Sequence, residues 1–220
     1  PKALGIINPK APNALDESLT AKQIESLTSL AGVGVAFKTA HALLEKYGKL
    51  EFISEILPYV AIGTVADLVP LIGENRYLVT KGLELISAGK HFGISQLLAS
   101  AGYKGQITSE QIAFGIAPRI NASGRLDTVD SALKVLISDN KQEIQVAIQT
   151  LNEFNKIRQE LCQNIFAEAD EMVKKEGNRN SAIVLFNKDW HIGIIGIVAS
   201  MLVEKYYKPT FLMTYSTETK

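Results

Sequence analysis

The spacing of apolar positions predicts a run of helices that gives way to a strand–helix–strand pattern near the end of the chain. At the start, LGII (residues 4–7) predicts a short buried strand closed by Asn8-Pro9, followed by a polar, turn-rich loop to Leu19. Thr20 and Gln23 have the spacing of a capping box, opening a helix with Ile24, Leu27 and Leu30 on its apolar side. The stretch LAGVGVAFKTAHALLEKYG predicts a second helix stopped by Gly48. Residues 53–65 are mostly apolar and run into IGTVADLVPL (62–71). An amphipathic helix over 76–88 follows, with Tyr77, Val79, Leu83 and Ile86 on its apolar side. Lys90-His91 then reads as a solvated turn before the helical stretch GISQLLASAGY. Thr108 and Gln111 form a second capping box. Over residues 112–137, two apolar helical patterns flank a polar knot of Arg119, Asn121, Ser123, Gly124 and Arg125, which reads as a helix–turn–helix joint.

Asp139 with Gln142 is expected to cap the next element, which has no Pro or Gly until Gly177-Asn178. Ile144, Ile148, Leu151, Phe154, Ile157, Leu161, Ile165, Ala169 and Met172 recur at spacings of three and four. A helix of this length reaches about 50 Å. Its single apolar stripe, which is not a sustained heptad, suits a helix that bridges two domains better than a coiled coil. After it, AIVLF (182–186), WHIGIIGIVASMLVEKYYKP and TFLMTY read as strand, helix and strand, with parallel pairing expected. Trp190 and His191 fall at the carboxyl end of the first strand, the usual ligand edge of an open sheet. Gly193 and Gly196 allow a backbone or a ligand to approach the start of the following helix.

Composition narrows the classes. The chain has 220 residues, and 23 Lys plus Arg balance 23 Asp plus Glu. A formal charge of zero argues against a surface that coats polyanions generally, but leaves room for a local basic groove. The single cysteine, Cys162, excludes an internal disulfide and a thiolate-rich metal cluster; on a helical stripe it reads as a packing residue. No segment reaches membrane-spanning length, and the start lacks the order of a signal peptide. The chain therefore reads as a cytoplasmic, interior segment of something larger.

Few residues carry candidate chemistry. Asp67 is a carboxylate within an almost wholly apolar decapeptide; if buried it needs a metal, a cation or several donors, and otherwise it caps a helix or accepts turn amides. Arg119 and Arg125 offer planar forks suited to phosphate or carboxylate, with Asn121 beside them. The same arginines could instead cap carbonyls or pair with Asp127 and Asp130. His191 is the strongest functional candidate among the three histidines; His41 and His91 read as structural or solvated. Gly32-x-Gly34 lacks the third glycine and the leading strand of a dinucleotide fingerprint, so close backbone packing explains it better.

IGTVADLVPL, PRINASGRL and WHIGIIGIVAS, with the upstream NPK and LAGVGVAFK segments, resemble RecJ-type single-stranded-DNA-specific exonucleases of the DHH phosphoesterase superfamily. The resemblance runs along essentially the whole chain in family order. It implies an α/β protein: the mostly helical remainder of a DHH-type lobe (1–139), a long connecting helix (140–177), and the start of a DHHA1-like lobe (178–220). The implied activity is divalent-metal-dependent 5′→3′ hydrolysis of single-stranded DNA in recombination and repair. Manganese or magnesium would serve as cofactor, with single-strand-binding protein or replication and repair proteins as partners.

Carried over by motif, Asp67 is implied to be a catalytic metal ligand. Arg119, Asn121 and Arg125 are implied to face phosphates, and His191 to act on DNA from the second lobe. The family's other metal-binding motifs would precede Pro1, and its Ser-Gly-Arg phosphate stretch would follow Lys220. This segment alone is therefore expected to be inactive. A DHH-family phosphatase of oligonucleotides or pyrophosphate, or a non-catalytic scaffold for a replication partner, would share these residues.

Overall fold

The computed structural model describes residues 5–11, 15–126, 128–175 and 180–215. Among these residues, ten α-helices and two strands follow in the order α1 (Ala21–Thr28), α2 (Gly32–Lys46), α3 (Ile53–Ala66), α4 (Gly73–Ser87), α5 (Phe92–Ser100), α6 (Ser109–Gln111), α7 (Ala117–Leu126), α8 (Asp130–Ile137), α9 (Lys141–Lys175), β1 (Ile183–Phe186), α10 (Ile192–Tyr206) and β2 (Thr210–Met213). The chain divides into two units: 1–118 with 133–148, and 119–132 with 149–220. Among the described residues no single helix is long and apolar enough to cross a membrane.

The first unit is helical. Both capping boxes form, Thr20 with Gln23 and Thr108 with Gln111. Gly48 ends α2 in the left-handed region at φ 65°, the conformation a helix stop favours in glycine. Helix α3 buries Leu57, Val60, Ala61, Ile62 and Val65 and packs against α2 and α4. Gly82 makes the α3–α4 approach possible, because a Cβ there would come within 2.4 Å of the Ala61 Cβ and 2.6 Å of the Leu57 carbonyl oxygen.

Several expectations are corrected in this unit. Leu4 lies outside the described residues, and Gly5–Asn8 joins no sheet; Ile6 and Ile7 are exposed, with no strand partner among the described residues to bury them. Helix α4 begins at Gly73, a turn before the expected start. His91 is half-buried rather than solvated: it precedes α5 and meets the edge of Tyr59, and desolvation holds its imidazole below the usual pKa. Asn140, not Asp139, caps α9, its Oδ1 accepting from the Gln142 and Glu143 amides.

The polar knot is also not a turn. A π-helical segment, Ile112–Ile116, leads from α6 into α7, with the Ala117 amide donating five residues back to Ile112. Pro118 has no N–H for the carbonyl four residues back, and its ring crowds that carbonyl; a wider turn beforehand relieves the conflict. The helix therefore runs through PRINASGRL, and Arg119, Asn121, Ser123, Gly124 and Arg125 all lie on it.

In the second unit, β1 and β2 pair in parallel as expected, Ile183 with Thr210 through Phe186 with Met213. One face of β1, with Ile183 and Leu185, packs with Cys162, Ile165, Ala169 and Val173 of α9 and Ile194, Val198 and Leu202 of α10. Helix α9 runs unbroken over 35 residues. Its expected stop at Gly177-Asn178 lies outside the described residues. Asp170 clips α9 to α10: Oδ1 accepts from Lys205 and from the Tyr206 hydroxyl at 2.7 Å, and Oδ2 pairs with Lys174 at 2.7 Å.

Candidate nucleic-acid interface

Within the second unit, α7 and the start of α10 meet at Gly193. The Arg125 Nη1 donates to the Gly193 carbonyl at 3.1 Å, and the Gly193 amide donates to His191 Nδ1 at 3.1 Å. His191 is thus the N-cap of α10. Because its Nδ1 accepts, the neutral ring carries its proton on Nε2. A Cβ on Gly193 would lie 2.5 Å from the Arg125 carbonyl oxygen, so only glycine admits this approach. Gly196, by contrast, has nothing within 4 Å of its would-be Cβ.

The other knot residues flank this junction. Arg119 Nε donates to Asn152 Oδ1 of α9 at 2.7 Å, which fixes the direction of its guanidinium. Asn121 is exposed on α7, whereas Ser123 is fully buried and bonds back to the Ile120 carbonyl. Ser123 therefore belongs to the helix rather than to a ligand. Arg125 is exposed, and among the described residues no carboxylate lies within ion-pair distance of it. Asp127, weighed as a partner for the arginines, lies outside the described residues.

Trp190 is a core residue, 4% exposed, and its Nε1 donates to Glu168 Oε2 at 2.8 Å. Stacking of a base on this indole is thereby excluded. Glu168 was not evident from the sequence. Its other oxygen accepts from Asn187 Nδ2 at 2.6 Å, so one carboxylate on α9 ties both ends of the turn leading to His191. Thr214 Oγ1 adds a bond to the Trp190 carbonyl at 2.8 Å. Cys162 is buried against α10 and burial pushes its thiol up, as suits a packing residue rather than a nucleophile.

Asp67 belongs to the first unit. The decapeptide around it is buried only through Val65; Asp67 itself is exposed, ending α3 with its amide bonded to the Gly63 carbonyl. It is a solvated carboxylate at a helix end, not a buried charge demanding compensation. Among the described residues, no three His, Cys, Asp or Glu side chains gather to hold a metal ion.

No family model matches the chain. It is nevertheless 38% identical over 219 residues to the single-stranded-DNA-specific exonuclease RecJ of Bacillus subtilis, covering 99% of this chain and 26% of that protein. It is 36% identical to the Escherichia coli protein of the same name, over 95% of this chain and 37% of the relative. The fold matches a crystal structure of exonuclease RecJ bound to manganese with a TM-score of 0.77 at 37% identity, covering 91% of this chain and 49% of that one. The Mn2+ complex of RecJ from Thermus thermophilus matches with a TM-score of 0.75 at 38% identity, covering 84% of this chain and 28% of that one.

The chain belongs to the RecJ family. This RecJ-family chain spans about a quarter to two fifths of the length of those curated relatives. Its helical first unit passes into the parallel β1–α10–β2 unit, the architecture expected of a DHH lobe leading into a DHHA1-like one.

Proposed function

We propose that this chain is part of a divalent-metal-dependent exonuclease that hydrolyses single-stranded DNA from its 5′ end, serving recombination and repair in the cytoplasm. The observation that carries the reading is the convergence of Arg125 and His191 on Gly193. It places an exposed guanidinium and an imidazole Nε2 at one helix junction, in a chain with RecJ identity along nearly its whole length. Arg119, Asn121 and Arg125 would hold phosphate oxygens, and His191 would donate to the same strand. Donors fixed by their surroundings cost little reorganisation when they meet an anion, which is the source of their effect. Single-strand-binding protein or replication and repair proteins are the proposed partners.

Manganese or magnesium enters the proposal through the metal-bound relatives. The described residues do not make such a centre themselves: Asp67 is one exposed carboxylate without a cluster of ligands around it. Asp67 is assigned a single ligand position, and no chemical step is assigned to this chain beyond holding the substrate phosphates. By itself the 220-residue chain is expected to have no nuclease activity.

Release of a 5′-end label from single-stranded DNA with Mn2+ tests the reading. The expected result is release by the longer protein containing this segment, none by the 220-residue chain, and at least about a 100-fold loss in Asp67→Ala, the scale of removing one electrostatic group from a transition state. No release from single strands, or release indifferent to D67A, overturns it.

A further inference from the structure

Arg158 on α9 lies outside every motif considered above, yet its surroundings resemble those of the knot arginines. Its Nε and Nη2 both donate to Asn155 Oδ1, at 3.3 and 3.0 Å. Asn155 is itself buried, 7% exposed, so the amide that holds the fork is fixed. Asn152 and Asn155, three residues apart on one face of α9, thus orient Arg119 and Arg158 in turn.

The choice of partner matters. A carboxylate would orient a guanidinium and cancel its charge, whereas an amide oxygen orients it and leaves the charge in place. Among the described residues no carboxylate lies within ion-pair distance of Arg158. Arg158 and Arg125 both lower the pKa of the buried Cys162 thiol, against the larger effect of burial.

We propose that Arg158, held by Asn155, is an additional phosphate-binding subsite that takes a backbone phosphate of the same single strand bound at the Arg125–His191 junction. Asn155 is a positioning residue that acts through Arg158. The proposal rests on the nucleic-acid reading above, and its test separates the two.

The test is binding of the full 220-residue chain to a fluorescent oligo-dT, measured by anisotropy across a salt series, with circular dichroism to confirm folding. Each phosphate contact on a single strand adds about 0.7 to the slope of log affinity against log salt. Arg158→Gln is expected to lower that slope by about 0.7. Asn155→Asp, which sets a carboxylate against an intact Arg158, is expected to lower it by the same amount and guards against misfolding of R158Q. Arg158→Lys keeps the charge without the fork and is expected to keep the slope while weakening binding.

If Arg125→Gln lowers the slope while R158Q and N155D leave it unchanged, the subsite is overturned and the nucleic-acid reading stands. If the unsubstituted chain shows no salt-dependent binding, both fall.

Discussion

Arg125 and Gly193 are joined twice: the arginine Nη1 donates to the glycine carbonyl at 3.1 Å, and the arginine's own carbonyl fills the space a Cβ on that glycine would need. The obstructing atom is backbone, so it cannot swing aside as a side chain would. Gly193→Ala is therefore expected to cost about 1–3 kcal/mol, the range for forcing volume into a packed contact. Gly196→Ala, with open space around it on the same helix, is expected to hold or raise stability by up to about 1 kcal/mol, because alanine is the better helix former. Thermal unfolding of the two variants checks the contrast; equal melting temperatures would contradict the packing described.

Glu168 holds Trp190 and Asn187 at once, and Trp190 is the chain's one tryptophan. Hydrogen bonds to a charged group contribute about 1.5–3 kcal/mol each. Glu168→Ala is expected to lower the urea midpoint and to shift the tryptophan emission to the red as water reaches the indole. Glu168→Gln keeps one acceptor and should fall between the native chain and E168A. An emission maximum unmoved in E168A would show that the turn before His191 is held by other contacts.

Asp170 gives the stability a defined pH dependence. Its hydrogen bonds, first from Lys174, then Lys205 and Tyr206, hold the carboxyl far below the usual carboxylate range. A carboxyl whose folded pKa is depressed stabilises fully above its unfolded pKa, about 3.9, and loses that contribution as pH falls towards the folded value. The stability gap between the native chain and Asp170→Asn is expected to be constant from about pH 7 to pH 5 and to narrow from about pH 4 downward. Urea denaturation across that range measures it, and a gap unchanged at about pH 3 would show that the carboxylate contributes little.

Much of the fold could be read from the sequence because it depends on local spacing. Both capping boxes, the stop at Gly48, the unbroken helix of α9 and the β1–α10–β2 pattern follow from side-chain periodicity and turn chemistry within a few residues. The oddness of Arg119, Arg125 and His191 was also visible, since charge beside apolar stripes shows in one dimension. Burial does not show there. Asp67 sits in an apolar string yet is exposed, because α3 ends at that point; His91 looked like a turn residue, yet Tyr59 covers it.

Only tertiary structure brought Arg125 to Gly193, Glu168 to Trp190 and Asn152 to Arg119, because each pair joins elements far apart in the chain whose side chains meet only once the helices have packed. The knot's conversion from turn to helix was settled in the same way. Its propensities permitted either, and the π segment before Pro118, with burial of Ala122 and Ser123, decided for the helix.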